Sequence, residues 1–247
     1  MDNHEIIIFA TIDKLAEFVE GLMNRLIAEA ADREYLTIAL SGGSTPKQIF
    51  RYIASHDTIK TQWGKVRFFW VDERCVPPED DESNYKMTRL NLLENLAVPE
   101  GNIFRIHGEN DPEKEAVRYS SIIAANVPVE NNWPRFDIIL LGLGEDGHTA
   151  SIFPGNTALF QSAKICEVAT NPKSGQQRIT LTGPVINNAS QVIFMVTGSG
   201  KASIAAMILQ DSNTGLSASF VKPSHGKLKW LLDADAAGKL KNGPLQQ

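Results

Sequence analysis

The chain is poor in cysteine and lacks the long apolar runs of membrane proteins. Two cysteines, Cys75 and Cys166, lie far apart among 247 residues and form neither a CxxC pair nor a metal-ligand spacing. Unpaired thiols are typical of a reducing cytosol. No window approaches the roughly 18–20 consecutive apolar residues of a membrane span, and the start MDNHEIIIFA does not resemble a signal peptide. We expect a cytoplasmic protein without disulfides or membrane contacts.

An excess of positive charge is also missing. The formal net charge of -5 argues against binding to nucleic acid or to an anionic membrane surface. His4, His56, His107 and His225 are scattered without metal-ligand spacing, so no metal site is expected. No G-x-S-x-G nucleophile elbow occurs. A small anionic ligand remains compatible with this composition, because it needs only a local basic pocket.

Short apolar runs alternate with amphipathic stretches. The runs predict strands at 6–9, 35–40, 66–71, 136–141 and 191–196. The amphipathic stretches predict helices at 13–31, 83–96, 111–126 and 200–209, the third with Asp111 as N-cap and Pro112 in its first position. Continuous hydrophobicity is typical of parallel strands covered on both faces. The order predicts an α/β fold with a mostly parallel sheet flanked by helices, in a single domain over residues 1–247.

A glycine-rich stretch, SGGSTPKQIF at 41–50, follows the second predicted strand. Gly43 and the glycine before it permit positive φ and close approach of the backbone, and Ser44 and Thr45 add hydroxyl donors. Backbone N–H groups at a helix N-terminus form an anion site, so the stretch favours phosphate binding. The Walker A order is absent, and a tight turn with a helix cap is the alternative.

Charged residues follow other predicted strands. Asp72, Glu73 and Arg74 come at the end of the third strand, and Arg178 precedes the short apolar run ITL. Lys201 lies at a helix N-terminus, where a positive charge opposes the helix dipole unless an anion lies between them. Such charges alone are typical of a solvated surface. Because ligands of open α/β sheets bind at the carboxyl ends of strands, we expect these residues to form a basic pocket.

The stretch LGLGEDGHTA allows two interpretations. Its glycines have the G-x-G-x-x-G spacing of a dinucleotide-binding turn, and Glu167 lies about where an acidic ribose ligand is expected. That fold needs a crossover of about 10 residues or more, but Pro154 comes seven residues after Gly147. The favoured interpretation is a loop that presents His148, which takes a proton near pH 7 while Asp146 orients its imidazole.

Three stretches, SGGSTP, VDERCVPPEDDESNY and LGLGEDGHTASIFPG, together resemble the soluble 6-phosphogluconolactonases, which are related to the glucosamine-6-phosphate deaminases. The resemblance extends to RITLT, GSGKA and the tail LKWLLDADAAGKL, and so covers essentially the whole chain. It implies a modified Rossmann-like α/β fold and hydrolysis of 6-phosphogluconolactone in the oxidative pentose phosphate pathway. It also implies a phosphorylated sugar lactone as partner and no metal or nucleotide cofactor.

The same resemblance implies roles for individual residues. The substrate site would contain a phosphate loop, its cationic partners and one pocket carboxylate: Gly43, Ser44, Thr45, Arg74, Arg178, Lys201 and Asp72. His148 would be the general base that activates water against the lactone carbonyl, with Asp146 steadying it. His148 would then return the proton to the leaving ring oxygen.

The main alternative function is that of the deaminases, aldose–ketose isomerising enzymes that release ammonia. They typically carry DEY where this chain has Asp72-Glu73-Arg74, and DGHIAFNEP where it has DGHTASIFPG. Both departures favour the lactonase. A catalytically silent sugar-phosphate-binding regulator would be expected to lack the histidine or aspartate of DGH, and both are present. A nicotinamide-dependent enzyme is disfavoured by the missing room for a crossover helix.

Overall fold

The computed structural model describes residues 4–30, 32–56, 62–211 and 214–241. The strands within these ranges are β1 His4–Phe9, β2 Leu36–Leu40, β3 Val66–Trp70, β4 Asp72–Arg74, β5 Ile103–Phe104, β6 Val129–Glu130, β7 Trp133–Pro134, β8 Ile138–Leu141, β9 Cys166–Thr170, β10 Gln177–Leu181, β11 Gln191–Val196 and β12 Lys227–Asp233. The α-helices are α1 Ile12–Glu29, α2 Ser44–His56, α3 Asn84–Asn91, α4 Pro112–Asn126, α5 Gly183–Asn188 and α6 Ala202–Gln210.

Seven strands form one parallel sheet in the order β1-β12-β11-β8-β2-β3-β5. The order of connection reverses between β2 and β8, which pair at Ile38 with Ile138 and at Ala39 with Ile139. After β2 the chain continues through β3 to one edge, and after β8 it continues through β11 in the other direction. Ligands of open α/β sheets bind at such a reversal, beyond the carboxyl ends of the strands.

The physical reason for this sheet is visible in its central strands. Every residue of β2 and of β8 is buried, as expected for strands covered on both faces. The helix at 111–126 begins as predicted, since Asp111 accepts a hydrogen bond from Lys114 N–H at 3.1 Å and Pro112 takes the first position. The predicted parallel α/β fold is therefore confirmed. No helix in the described ranges is long and apolar enough to span a membrane.

Two predicted helices differ in length from the observed ones. The helix expected over 83–96 ends at Asn91, because Leu92 leaves helical geometry with φ -136° and ψ -65° and is fully buried. A 3-10 turn at Leu93–Asn95 follows. The helix expected over 13–31 ends at Glu29, and Ala31 lies outside the described residues.

The sequence does not predict β12. It also does not predict the second sheet, which is antiparallel and has the order β4-β10-β9. β12 opens with lysines alternating with apolar residues, so its sequence lacks the continuous hydrophobicity of the other central strands. A single residue separates β4 from β3, so the sequence of β4 resembles a charged loop that follows β3. The antiparallel sheet matters for function, because it places Arg178 of β10 directly opposite Arg74 of β4.

Candidate active site

A cavity of about 220 Å³ opens where the sheet order reverses. Its walls come from the segments after β2, β8 and β11 and from the antiparallel sheet. Eight of the nine predicted site residues line it: Gly43, Ser44, Thr45, Asp72, Arg74, His148, Arg178 and Lys201. The ninth, Asp146, contacts the His148 side chain. The fold thus brings together residues from position 43 to position 201.

His148 and Asp146 form a hydrogen-bonded pair. The imidazole Nδ1 lies 2.5 Å from Asp146 Oδ1, and the same oxygen accepts the His148 backbone N–H at 3.1 Å. Burial acts to raise the pKa of the Asp146 carboxyl, but the hydrogen bonds from His148 outweigh it and hold the pKa below its ordinary value. An ionised Asp146 accepts the Nδ1 proton, so Nε2 keeps a lone pair for proton transfer.

The glycines around His148 close a tight turn. Gly144 N–H donates to the His148 carbonyl at 2.8 Å, and Gly147 N–H donates to the Gly144 carbonyl at 3.0 Å. Gly147 has φ +82°, a conformation that favours glycine. The Thr149 hydroxyl donates to the Gly142 carbonyl at 2.9 Å and fixes the far side of the turn. These bonds hold the imidazole at the wall of the cavity.

The geometry after this turn does not suit a dinucleotide. Residues 148–156, all of which are described, contain turns and an isolated bridge in place of a crossover helix. The next helical residues form the 3-10 turn Thr157–Gln161. Glu167, on β9, accepts hydrogen bonds from the side chains of Ser162 and Lys164. The structure therefore favours the loop that presents His148.

Because the sequence predicts His148 as the general base, the Gly144→Ala substitution is expected to lower kcat for the expected lactone hydrolysis by about 100-fold, the order of loss that a 1 Å misplacement of a reacting group causes. A Cβ at position 144 would overlap His148 Nδ1 and lie 2.7 Å from Asp146 Oδ1, so the imidazole would have to move. Gly101→Ala is the matched control, since a Cβ there meets nothing within 4 Å and the position lies outside the cavity. Steady-state kinetics of both variants make the comparison, and equal activities would contradict the described packing.

The segment after β2 points a helix N-terminus at the cavity. Gly43 has φ +113° and turns the chain into α2, which begins at Ser44. The first turn of a helix has N–H groups without intrahelical partners, and these attract anions. The hydroxyls of Thr45 and Thr197 are 2.6 Å apart, so this loop is joined to the segment that carries Lys201.

Two arginines face each other on the antiparallel sheet. Like charges on directly opposed residues destabilise a strand pair, so Arg74 and Arg178 favour an anion between or beside them. Burial lowers the pKa of the Arg178 guanidinium, while Asp72 acts in the opposite direction. The buried Nε atoms of both arginines have no hydrogen-bond partner among the described residues. Arg74 also donates to the Glu82 carbonyl, which fixes its direction.

The family model described as "Glucosamine-6-phosphate isomerases/6-phosphogluconolactonase" matches residues 10–230. The chain belongs to this family. The 6-phosphogluconolactonase of Treponema pallidum (strain Nichols) is 46% identical over 184 residues, which are 74% of this chain and 76% of that protein. The 6-phosphogluconolactonase of Synechocystis sp. is 39% identical over 221 residues, 88% of this chain and 90% of the relative.

Solved structures of the family superpose closely. The 6-phosphogluconolactonase from Trypanosoma brucei has a TM-score of 0.83 and 30% identity, and the match covers 96% of this chain and 98% of that one. A monomeric glucosamine-6-phosphate deaminase has a TM-score of 0.80 at 19% identity, over 95% of this chain and 99% of that chain, which shows a shared fold alone. The Rossmann-like α/β fold expected from the sequence is confirmed.

Glu73 is a buried carboxylate beside the predicted site residues, and its role is structural. Glu73 accepts hydrogen bonds from the backbone N–H groups of Arg74, Asn84 and Tyr85 and from the Ser83 hydroxyl. Burial raises the pKa of Glu73, although these donors act in the opposite direction. Its carboxylate holds the N-terminus of α3 against β4.

Asn84, which no sequence motif singles out, also lines the cavity. Its Nδ2 donates to the Asp72 carbonyl at 2.9 Å, and its side chain occupies the space that a Cβ at Gly42 would need. Ser83, which caps the N-terminus of α3 by accepting a hydrogen bond from Lys86 N–H, is a local feature and does not reveal the contact of Asn84 with the loop after β2. Nearby, burial raises the pKa of the Cys75 thiol to about 11, so this cysteine stays protonated and unreactive at neutral pH.

Proposed function

We propose that the protein is a 6-phosphogluconolactonase, which hydrolyses 6-phospho-D-glucono-1,5-lactone to 6-phosphogluconate in the oxidative pentose phosphate pathway. The observation that carries this proposal is the His148–Asp146 pair at the wall of a cavity lined by cationic side chains and a helix N-terminus. Hydrolysis of a phosphorylated lactone requires a base for water and a place for the phosphate. The relatives named 6-phosphogluconolactonase support the same assignment.

The proposed chemistry begins at the imidazole. Nε2 of His148 removes a proton from water while the water oxygen bonds to the lactone carbonyl carbon, and the carbonyl electron pair moves to its oxygen. When this tetrahedral oxyanion collapses, the bond between the carbonyl carbon and the ring oxygen breaks. His148 returns the proton to that ring oxygen, which becomes a hydroxyl. Asp146 stabilises the imidazolium between the two transfers.

The substrate phosphate occupies the other wall in this proposal. Its ligands are the loop at the start of α2 and the cationic side chains around the cavity: Gly43, Ser44, Thr45, Arg74, Arg178 and Lys201. Hydrogen bonds between charged partners are about twice as strong as neutral ones, so these cations favour a phosphorylated lactone over an unphosphorylated one. Asp72 adds a carboxylate acceptor for the sugar portion.

We also propose that residues 1–247 form a single domain that acts on this small molecule. One continuous cluster of buried apolar side chains runs from Ile7 to Ala236. It includes Ile179 of β10 together with residues of the large sheet, which supports one shared core for both sheets.

Lys201→Ala is expected to raise KM for 6-phosphogluconolactone by about 10- to 100-fold, because a hydrogen bond to a charged group contributes about 1.5–3 kcal/mol. KM for glucono-δ-lactone, which has no phosphate, should change little. Lys173→Ala, at an exposed position outside the cavity, is the matched control. Initial rates on both lactones give the comparison, and an equal loss on the two substrates would contradict a phosphate role for Lys201.

A further inference from the structure

A buried serine donates a hydrogen bond to Asp72, the carboxylate that lines the cavity. The Ser151 hydroxyl donates to Asp72 Oδ2 at 2.6 Å, and both residues are buried, at 0% and 5% exposure. Within the described part of the chain, Asp72 Oδ1 accepts no hydrogen bond. Since Asp72 lines the cavity, its carboxylate has one oxygen fixed by protein and one left for a ligand.

The position of Ser151 is fixed from several directions. Its backbone N–H donates to the Thr180 hydroxyl at 3.2 Å, and Thr180 pairs directly with Asp72 across the antiparallel sheet. The neighbouring Ala150 has φ +51°, an unusual conformation for a residue with a Cβ, and such strain persists only where the surroundings enforce it. The turn that carries His148 is thereby anchored to β4 and β10 through Ser151.

The hydrogen bond from Ser151 also restricts the orientation of the Asp72 carboxylate. Asp72 places a carboxylate in the cavity that holds His148. The hydroxyl that donates to Oδ2 fixes the plane of this carboxylate.

We propose that Ser151 is a positioning residue for lactone hydrolysis. It restricts Asp72 to accepting a hydrogen bond from a sugar hydroxyl of the substrate, and it leaves proton transfer to His148. This inference rests on the proposed function and deepens it. Ser151 acts entirely through the Asp72 carboxylate, so its contribution disappears when that carboxylate is absent.

A double-mutant cycle tests this role, using Ser151→Ala, Asp72→Ala, which removes the acceptor of the Ser151 hydroxyl, and the double variant. Ser151→Ala is expected to lower kcat/KM for 6-phosphogluconolactone by about 10- to 100-fold. In the Asp72→Ala background the same change should cost less than about twofold, because groups in one network are not additive. Ser120→Ala, which removes a hydroxyl bonded to the Ala116 carbonyl outside the cavity, is the control for general destabilisation.

The outcomes separate this inference from the proposed function. Equal effects of Ser151→Ala in both backgrounds, or no effect in the wild-type background, would overturn the positioning role. If Ser151→Ala does not fold, Ser151→Cys keeps the size and removes the hydroxyl, and the same criteria apply. If the wild-type protein has no lactonase activity, the proposed function alone is contradicted. The double-mutant cycle is then measured as the Kd for 6-phosphogluconate. Independent effects of the two substitutions on this Kd would overturn the role of Ser151.

Discussion

Replacing His148 with Ala or Gln should lower kcat for 6-phosphogluconolactone by about 10²- to 10⁴-fold, the usual contribution of a positioned general base. The loss follows from the geometry, because Asp146 engages Nδ1 and leaves Nε2 as the proton acceptor at the cavity wall. The fold should survive, since the side chain is 27% exposed and lies outside the apolar core. Stopped-flow or steady-state proton release measures the change, and circular dichroism checks the fold.

His225→Ala is the control for this experiment. His225 is exposed and lies outside the cavity, so its replacement should leave kcat unchanged. The affinity of His148→Gln for 6-phosphogluconate should stay within about threefold of wild type, because the proposed phosphate ligands remain in place. Full turnover by either His148 variant would remove this residue as the base.

Replacing Asp146 with Ala should lower kcat by about 100-fold or more. The substitution removes both hydrogen bonds that hold the imidazole and the charge that stabilises its protonated form. Asp146→Asn separates these effects, because an amide oxygen can still accept from both His148 donors but carries no charge. We expect Asp146→Asn to fall between wild type and Asp146→Ala.

The pH profile adds a second readout for the Asp146 variants. The lowered pKa of Asp146 means that its carboxylate stays ionised until the pH falls well into the acid range, and the pairing is lost as pH falls through that pKa. Without this charge, the acid limb of kcat/KM should move to lower pH. Asp13→Asn, an exposed change on α1, controls for a change in net charge. An Asp146→Asn enzyme with wild-type kcat and profile would show that the pair is not needed.

Much of the fold can be predicted because its central strands are recognisable from their own local sequence. β2, β3, β8 and β11 are short, apolar runs buried on both faces, and the Asp111–Pro112 cap marks the start of α4. β12 and the antiparallel sheet escape prediction because their stability comes from neighbours distant in sequence. β4, only three residues long, is held by its pairing with β10 about a hundred positions later.

The candidate site is predictable to the extent that strand ends carry unusual residues. Gly43, His148 and Lys201 each lie in such a segment, and the parallel topology forces the segments together. What the sequence does not reveal are bonds between segments. The Thr45–Thr197 contact spans 152 positions and the Ser151–Asp72 bond spans 79, so no local pattern contains them.

The glycine spacing of LGLGEDGHTA shows why a motif needs its context. The same spacing is compatible with a dinucleotide turn only when a crossover helix follows it. In this chain Gly144 is required because a Cβ would overlap His148, and Gly147 because its φ is positive. Gly144 and Gly147 therefore shape the turn that holds His148.

The most direct test of the proposed function is proton release in weak buffer from freshly generated 6-phosphogluconolactone. Wild type and His148→Ala are compared with spontaneous hydrolysis. Wild type is expected to accelerate the release strongly, and the variant is expected to stay close to the spontaneous rate. No acceleration by wild type would contradict the proposed function, and ammonia release from glucosamine 6-phosphate would then point to the deaminase branch of the family.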